Sequence, residues 1–145
     1  MEAEASIPAT YVDLPTLIST SDVISLHVPL TAETYHLIGE EEFRMMKPTA
    51  ILINMSRGPV IDEKELISAL QSGRIKGAGL DVYENEPQIP LELRLLENVV
   101  LTPHLGTSTL ETRIEMARMA SQSILDIVEG RRPANVVNPE VISAI

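Results

Sequence analysis

The segment Ala50–Tyr83, "AILINMSRGPVIDEKELISALQSGRIKGAGLDVY", decides the fold. Its first six residues, Ala50–Met55, are almost continuously apolar, which is typical of a strand covered on both faces in a parallel sheet. A helix is predicted next, because Asp62 and the glutamate three residues later have capping-box spacing and Gly73 suits a C-terminal cap. Ile75–Tyr83 predicts a second strand. A strand, a helix and a strand with short links indicate a parallel sheet.

The same alternation continues on both sides of this segment. Asp22–Leu30 predicts a strand that ends at a proline, and Gly39–Lys47 predicts a short helix. Asn98–His104, "NVVLTPH", predicts a fourth strand. A long helix is predicted from Ser108 to Gly130, with Ser108 as its N-cap because a glutamate follows three residues later. The sequence therefore predicts an α/β domain.

The composition excludes several classes of function. The chain has 145 residues, a net charge of −10 and no cysteine. The negative charge argues against nucleic acid or an anionic membrane as the partner, and the absence of cysteine excludes disulfides and zinc–thiolate sites. The three histidines lack the short spacing of metal ligands, so no metal site is expected. No secretory signal or membrane-spanning run is present in the sequence, and a cytoplasmic protein is expected.

Polar residues follow each predicted strand. His27 lies near the end of the first, Ser56-Arg57-Gly58 follows the second, Asp81 lies near the end of the third, and His104 follows the fourth. Ligands of parallel α/β sheets bind beyond the carboxyl ends of the strands. The sequence therefore predicts that these groups lie along one edge of the sheet.

Two of these side chains suit acid–base or anion chemistry. A guanidinium at a strand end suits bidentate binding of a carboxylate or phosphate, although Arg57 also fits a salt bridge to a neighbouring loop. His104 suits proton transfer near neutral pH or a structural hydrogen bond. A catalytic histidine needs a carboxylate partner, for which Asp81, Glu84 and Glu86 are all candidates.

Three motifs together resemble the D-isomer-specific 2-hydroxyacid dehydrogenases. They are "SDVISLHVPLTAET" at Ser21–Thr34, the segment Met46–Pro87, and "NVVLTPHLGTST" at Asn98–Thr109. They occur in the order and at the intervals of the family, and the resemblance runs from about Tyr11 to Pro139. The glyoxylate and hydroxypyruvate reductase branch is the most similar. The resemblance implies a partial Rossmann-like, doubly wound parallel sheet in a three-layer α/β/α arrangement.

The resemblance also implies a role for each catalytic position. Arg57 corresponds to the arginine that binds the substrate carboxylate and carbonyl. Glu86, and not Glu84, corresponds to the acid paired with the catalytic histidine. His104 corresponds to that histidine, the proton donor in reduction and the acceptor in oxidation. The implied substrate is a small 2-oxo or D-2-hydroxy acid.

The implied cofactor is NAD(H) or NADP(H), with hydride transfer between the nicotinamide ring and C2 of the acid. Asp81 matches the residue near the nicotinamide carboxamide. The implied cofactor-binding positions are Val28, Pro29, Met55, Ser56, Arg57, Asp81, His104 and Gly106. Met55 is bulkier than expected at its position. The full-length form is expected to be a homodimer.

The chain departs from the family pattern at its N-terminus. Full-length relatives have a glycine-rich turn upstream, followed by the residue that selects NAD or NADP, and this sequence contains neither. We therefore expect residues 1–132 to be the C-terminal portion of an NAD(P)-binding domain, and residues 133–145 a tail that returns to a substrate domain. Half a Rossmann sheet has an exposed strand edge and no pyrophosphate site, so the isolated chain is expected to be inactive.

Two alternative functions follow from the same resemblance. Some dehydrogenase-like co-repressors keep the catalytic trio and act as NAD-sensing, peptide-binding modules, and the residues of this chain are compatible with that function. Formate dehydrogenase is disfavoured, because relatives of that type have glutamine where Glu86 stands here.

Overall fold

The computed structural model describes residues 9–140. The chain forms two compact units, the first ending at His104 and the second beginning at Leu105. The first unit contains four parallel strands in the order β1-β2-β3-β4, which are Val23–Leu26 (β1), Ile51–Asn54 (β2), Gly77–Leu80 (β3) and Val99–Leu101 (β4). Its helices are Leu14–Thr20 (α1), Glu40–Met45 (α2), Glu63–Gln71 (α3) and Leu91–Arg94 (α4), with a 3₁₀ turn at Gly58–Val60. The predicted α/β class and parallel sheet are confirmed.

All four strands are shorter than predicted. The predicted strand Asp22–Leu30 pairs only over Val23–Leu26, where each residue has a partner in β2. The residues beyond each strand end form the loops at the carboxyl edge, although the N–H groups of Asp81 and Thr102 still donate to the backbone oxygens of Asn54 and Leu80. Burial of β2 also differs from the prediction, since Leu52 is fully buried whereas Ile51 and Ile53 are half-buried. One face of this strand is therefore well covered and the other only in part.

The helix predicted in the deciding segment is present as α3. The Asp62 carboxylate caps it by accepting hydrogen bonds from the backbone N–H groups of Lys64 and Glu65 at 3.1 and 3.2 Å. Gly73, with φ of +67°, follows its end, as expected for a glycine cap. Helices α1 and α4 were not predicted, because each is short and is anchored by one fully buried residue, Ile18 and Leu93 respectively.

A hydrophobic core packs the helices of the first unit on the sheet. Its fully buried or nearly buried members include Ile18, Ile24, Ile38, Phe43, Leu52, Val60, Ile61, Leu66, Leu70, Ile75, Leu80 and Leu93. Gly58 lies at a close approach of two loops, because a Cβ atom there would be 1.9 Å from the carbonyl carbon and oxygen of Tyr83. The backbone after β2 is thus packed directly on the backbone after β3.

The second unit contains one long helix, Leu110–Val128 (α5). Its N-cap is Thr109, whose hydroxyl accepts a hydrogen bond from the Thr112 N–H at 3.2 Å. The prediction of Ser108 as N-cap is wrong, since its hydroxyl accepts a hydrogen bond from the Arg113 guanidinium instead. The apolar side chains of α5 are not buried. Of the helices between residues 9 and 140, none combines the length and hydrophobicity needed to cross a bilayer.

Gly58→Ala is expected to lower the free energy of unfolding by more than about 3 kcal/mol, because backbone atoms of Tyr83 occupy the space of the new methyl group. Gly39→Ala is the matched control, with its nearest contact at 3.6 Å, and should change stability by less than about 1 kcal/mol. Urea unfolding followed by circular dichroism measures both values. Equal stabilities of the two variants would contradict the close packing at Gly58.

Candidate active site

Asn54 organises the turn at the carboxyl end of β2. Its side chain is buried, and its carbonyl oxygen accepts hydrogen bonds from the Ser56 N–H at 3.0 Å and the Ser56 hydroxyl at 2.8 Å. Its amide NH₂ donates to the backbone oxygen of Arg57 at 3.0 Å. Asn54 was not among the predicted site residues, although its polar side chain at the end of an apolar run was the available signal. Asn54 fixes the backbone that carries Arg57.

Arg57 opens onto a cleft of about 590 Å³ beyond the ends of β1 and β2. The guanidinium donates a hydrogen bond to the backbone oxygen of Ser56 at 2.7 Å, which holds it at the rim. The cleft is lined by His27, Val28, Pro29, Leu30, Met55, Ser56 and Arg57. Five of the eight positions predicted to bind cofactor are thus brought together here.

His104 and Glu86 form a direct hydrogen-bonded pair. The distance between His104 Nδ1 and Glu86 Oε2 is 2.8 Å, and Glu86 Oε1 accepts a hydrogen bond from the Tyr83 N–H at 3.0 Å. Glu84, two residues earlier, contacts His36 instead. Of the three acids left open by residue chemistry alone, Glu86 is therefore the one that meets His104. Its role in catalysis stays a prediction.

The backbone of His104 adopts the left-handed conformation, with φ of +53°. Such a conformation is uncommon for a residue with a side chain and is maintained only by its surroundings. Here the His104 N–H donates a hydrogen bond to the backbone oxygen of Asp81 at 2.9 Å. This contact joins the ends of β3 and β4 and turns the imidazole toward Glu86.

The Glu86 carboxylate is stabilised in its ionised form. Burial opposes ionisation, but hydrogen bonds from His104 and the Tyr83 N–H, helped by the positive charge of Arg57, hold the pKa of Glu86 below its ordinary value. An ionised carboxylate only accepts hydrogen bonds, so His104 Nδ1 carries the proton in this pair. Nε2 is then the nitrogen that exchanges a proton with a ligand.

Asp81 lies behind this pair and is buried. Its carboxylate accepts a hydrogen bond from the Thr102 hydroxyl at 2.5 Å, and the Tyr83 hydroxyl donates to the backbone oxygen of Thr102 at 2.8 Å. Burial, together with the negative charge of Asp81, raises the pKa of Tyr83. These bonds hold the ends of β3 and β4 together. The proposed contact of Asp81 with nicotinamide stays a prediction, as does that of Gly106 in the second unit.

A second cavity, of about 230 Å³, adjoins the imidazole. It is lined by Tyr83, Glu86, Pro87, Ile89, Pro103 and His104. An acid–base histidine with its carboxylate and a nearby guanidinium can bind an anion and transfer a proton to an oxygen beside it. Among residues 9–140, no group of three histidine or carboxylate side chains is arranged to hold a metal ion.

Replacement of His104 by asparagine, which tolerates the left-handed backbone, should raise the pKa of Glu86 toward its ordinary value. A depressed carboxyl pKa adds stability above the unfolded-state pKa, and this stability is lost as the pH falls through the folded-state pKa. The stability difference between the wild type and His104→Asn should therefore shrink on acidification. Titration of the Glu86 side-chain ¹³C resonance measures the pKa directly, and an unchanged value would contradict the pairing.

Known proteins are similar in sequence to nearly the whole chain. Residues 1–106 match the family described as "D-isomer specific 2-hydroxyacid dehydrogenase, NAD binding domain". The chain is 54% identical over 143 residues to a glyoxylate reductase of Thermococcus litoralis, covering 99% of this chain and 43% of the relative. It is 50% identical over 141 residues to glyoxylate/hydroxypyruvate reductase B of Shigella boydii, covering 97% of this chain and 44% of that relative.

Solved structures show the same fold. A glyoxylate reductase from Paecilomyes thermophila superposes with a TM-score of 0.83 and 42% identity, over 89% of this chain and 39% of that one. A Sinorhizobium meliloti glyoxylate/hydroxypyruvate reductase, solved with NADP and malonate, gives a TM-score of 0.75 and 36% identity, over 78% of this chain and 35% of that one. The chain spans less than half the length of the relatives it matches. These matches show that the chain belongs to the D-isomer-specific 2-hydroxyacid dehydrogenase family, and that residues 1–106 match its NAD-binding domain.

Proposed function

We propose that this chain provides the catalytic edge of an oxidoreductase that reduces a small 2-oxo acid, such as glyoxylate or hydroxypyruvate, with NADH or NADPH. The observation that carries the proposal is the His104–Glu86 hydrogen bond at 2.8 Å, on the same sheet edge as Arg57. The names of the similar reductases support the substrate class.

The three side chains divide the reaction between binding and proton transfer. Arg57 offers planar, paired donors to the substrate carboxylate and carbonyl oxygen. His104 Nε2 donates the proton that the carbonyl oxygen takes up, and Glu86 stabilises the positive charge of the imidazolium. A nicotinamide coenzyme, when bound, supplies the hydride to C2. Negative charge grows on the carbonyl oxygen of the substrate during reduction. The Arg57 guanidinium and the His104 imidazolium therefore stabilise the transition state more than the ground state.

The cleft beyond β1 and β2 suits one end of a dinucleotide. Val28, Pro29 and the half-exposed Met55 give it an apolar wall, while Ser56 and Arg57 supply polar groups. A flat ring carrying a carboxamide needs both kinds of surface. The Sinorhizobium meliloti relative was solved with NADP, which supports a nicotinamide dinucleotide as the ligand of this cleft.

The domain assignment and assembly are part of the same proposal. Residues 1–132 belong to the coenzyme-binding domain and residues 133–145 to a connection toward a substrate domain, as the family resemblance implies. The same resemblance supports a homodimer and a cytoplasmic location. The non-enzymatic, peptide-binding alternative finds no support among the relatives described above. It predicts partner binding that survives His104→Ala, whereas the enzymatic proposal predicts loss of turnover.

The proposed reaction can be tested in a chimera, in which this chain replaces the matching segment of the Thermococcus litoralis glyoxylate reductase. We expect the chimera to reduce glyoxylate and hydroxypyruvate, measured by loss of NAD(P)H absorbance. His104→Asn should lower kcat about 10²- to 10⁴-fold, because general acid catalysis is lost. A folded chimera without reductase activity, or a His104→Asn chimera with the wild-type kcat, would refute the proposal.

Arg57→Gln should lower kcat/KM about 10- to 100-fold, since charged hydrogen bonds to the substrate carboxylate are lost. Arg44→Gln is the control, because Arg44 is exposed on α2 and pairs with Glu40. Steady-state kinetics with glyoxylate measure both variants. Similar kcat/KM values for the two variants would show that Arg57 does not bind the substrate.

A further inference from the structure

A second cluster of ionisable side chains lies outside the candidate active site. It consists of His36, Asp62, Glu63 and Glu84, and is called the His36 cluster below. His36 Nε2 is 3.0 Å from Glu84 Oε1, and His36 Nδ1 is 3.4 Å from Asp62 Oδ2. These three side chains are each about one-quarter exposed. None of the four residues lines either cavity described above.

The backbone of His36 is held in an uncommon conformation. Its φ is +51°, in the left-handed region, and its N–H donates a hydrogen bond to the backbone oxygen of Pro59 at 2.8 Å. Ile38 and Ile61 then form a parallel bridge, so the segment after His36 is paired with the segment after Arg57. These contacts hold His36 in its left-handed conformation and aim the imidazole between two carboxylates.

Glu63 and Glu84 bind each other's backbone. The Glu84 N–H donates to Glu63 Oε1 at 3.2 Å, and the Glu63 N–H faces Glu84 Oε2 at 3.4 Å. Burial raises the pKa of Glu63, the hydrogen bond from the Glu84 N–H lowers it, and repulsion by the Glu84 carboxylate raises it further. The Glu84 carboxylate therefore contacts both His36 and the first turn of α3.

The His36 cluster is connected to Glu86 through a very short path. Glu84 and Glu86 lie in the loop Asp81–Pro87, called the acid loop below, and the N–H of Tyr83, the residue before Glu84, holds Glu86 Oε1. On the other side, Gly58 packs against the backbone of Tyr83 and Glu84. The cluster thus fixes the same stretch of backbone that orients the carboxylate partner of His104.

We propose that His36 is a positioning residue, which bridges Asp62 and Glu84 and thereby holds the acid loop so that Glu86 keeps its hydrogen bond to His104. The proposal deepens the proposed function, because it assigns support to the same catalytic pair. The positioning role can be tested without the proposed function, because the His104–Glu86 hydrogen bond can be measured in the absence of any reaction. The imidazole binds neither substrate nor coenzyme in this role.

Histidine-selective NMR of the chain tests the proposal, because only three histidines contribute signals. Side-chain ¹⁵N–¹H correlations report whether His104 carries its proton on Nδ1 and whether that proton is hydrogen-bonded. We expect His36→Asn, which tolerates the left-handed backbone, and the isosteric Glu84→Gln each to cause loss of the hydrogen-bonded Nδ1–H signal of His104. The double variant should show no larger loss than either single variant, because both remove one contact.

Glu40→Gln is the matched control, as it also removes one carboxylate but lies on the exposed side of α2, and it should leave the His104 signal unchanged. Backbone amide spectra confirm folding, and Glu84→Gln decides the outcome if His36→Asn does not fold. Variants that are folded and retain the wild-type Nδ1–H signal would overturn the proposal. If the wild-type chimera lacks reductase activity while the variants lose this signal, the proposed function is refuted and the positioning role is kept.

Discussion

Because β1, β2, β3 and β4 all run in the same direction, their carboxyl ends meet at one edge of the sheet. This topology brings residues that are far apart in the chain to the same edge. His27 and His104, for example, are 77 positions apart, and the sheet places both there without a direct contact between them. The side chains of the candidate active site lie at the carboxyl ends of these strands or in the loops that follow them. The helices contribute the core that keeps the four ends aligned.

The acid loop shows why part of the site was predictable and part was not. Three acids lie within six residues, and nothing in their spacing distinguishes them. In the structure Asp81 meets Thr102, Glu84 meets His36, and Glu86 meets His104. These partners are 18 to 48 positions away, so local sequence could not select them. The resemblance to a known family identified Glu86 as the partner of the catalytic histidine, but it did not predict which residue Glu84 contacts.

Local structure followed local sequence where side chains contact their own segment. The Asp62 cap of α3 and the glycine after it were predictable, since both act within one turn. Ser108 and Thr109 are adjacent hydroxyl residues, and the choice between them depends on where the loop enters α5. The His36 contacts and the left-handed backbone of His104 arise from the packing of separate loops, which is not encoded in any short window.

The side-chain amide of Asn54 both accepts and donates, since its oxygen accepts hydrogen bonds from Ser56 while its nitrogen donates to the backbone carbonyl of Arg57. Aspartate has the same shape but no NH₂ group, so it would face that carbonyl with a second oxygen. Deamidation, a change of one atom group that leaves the volume almost unchanged, would therefore reverse the polarity of this turn. Deamidation of this single buried amide would thus remove a hydrogen bond that holds the backbone of Arg57.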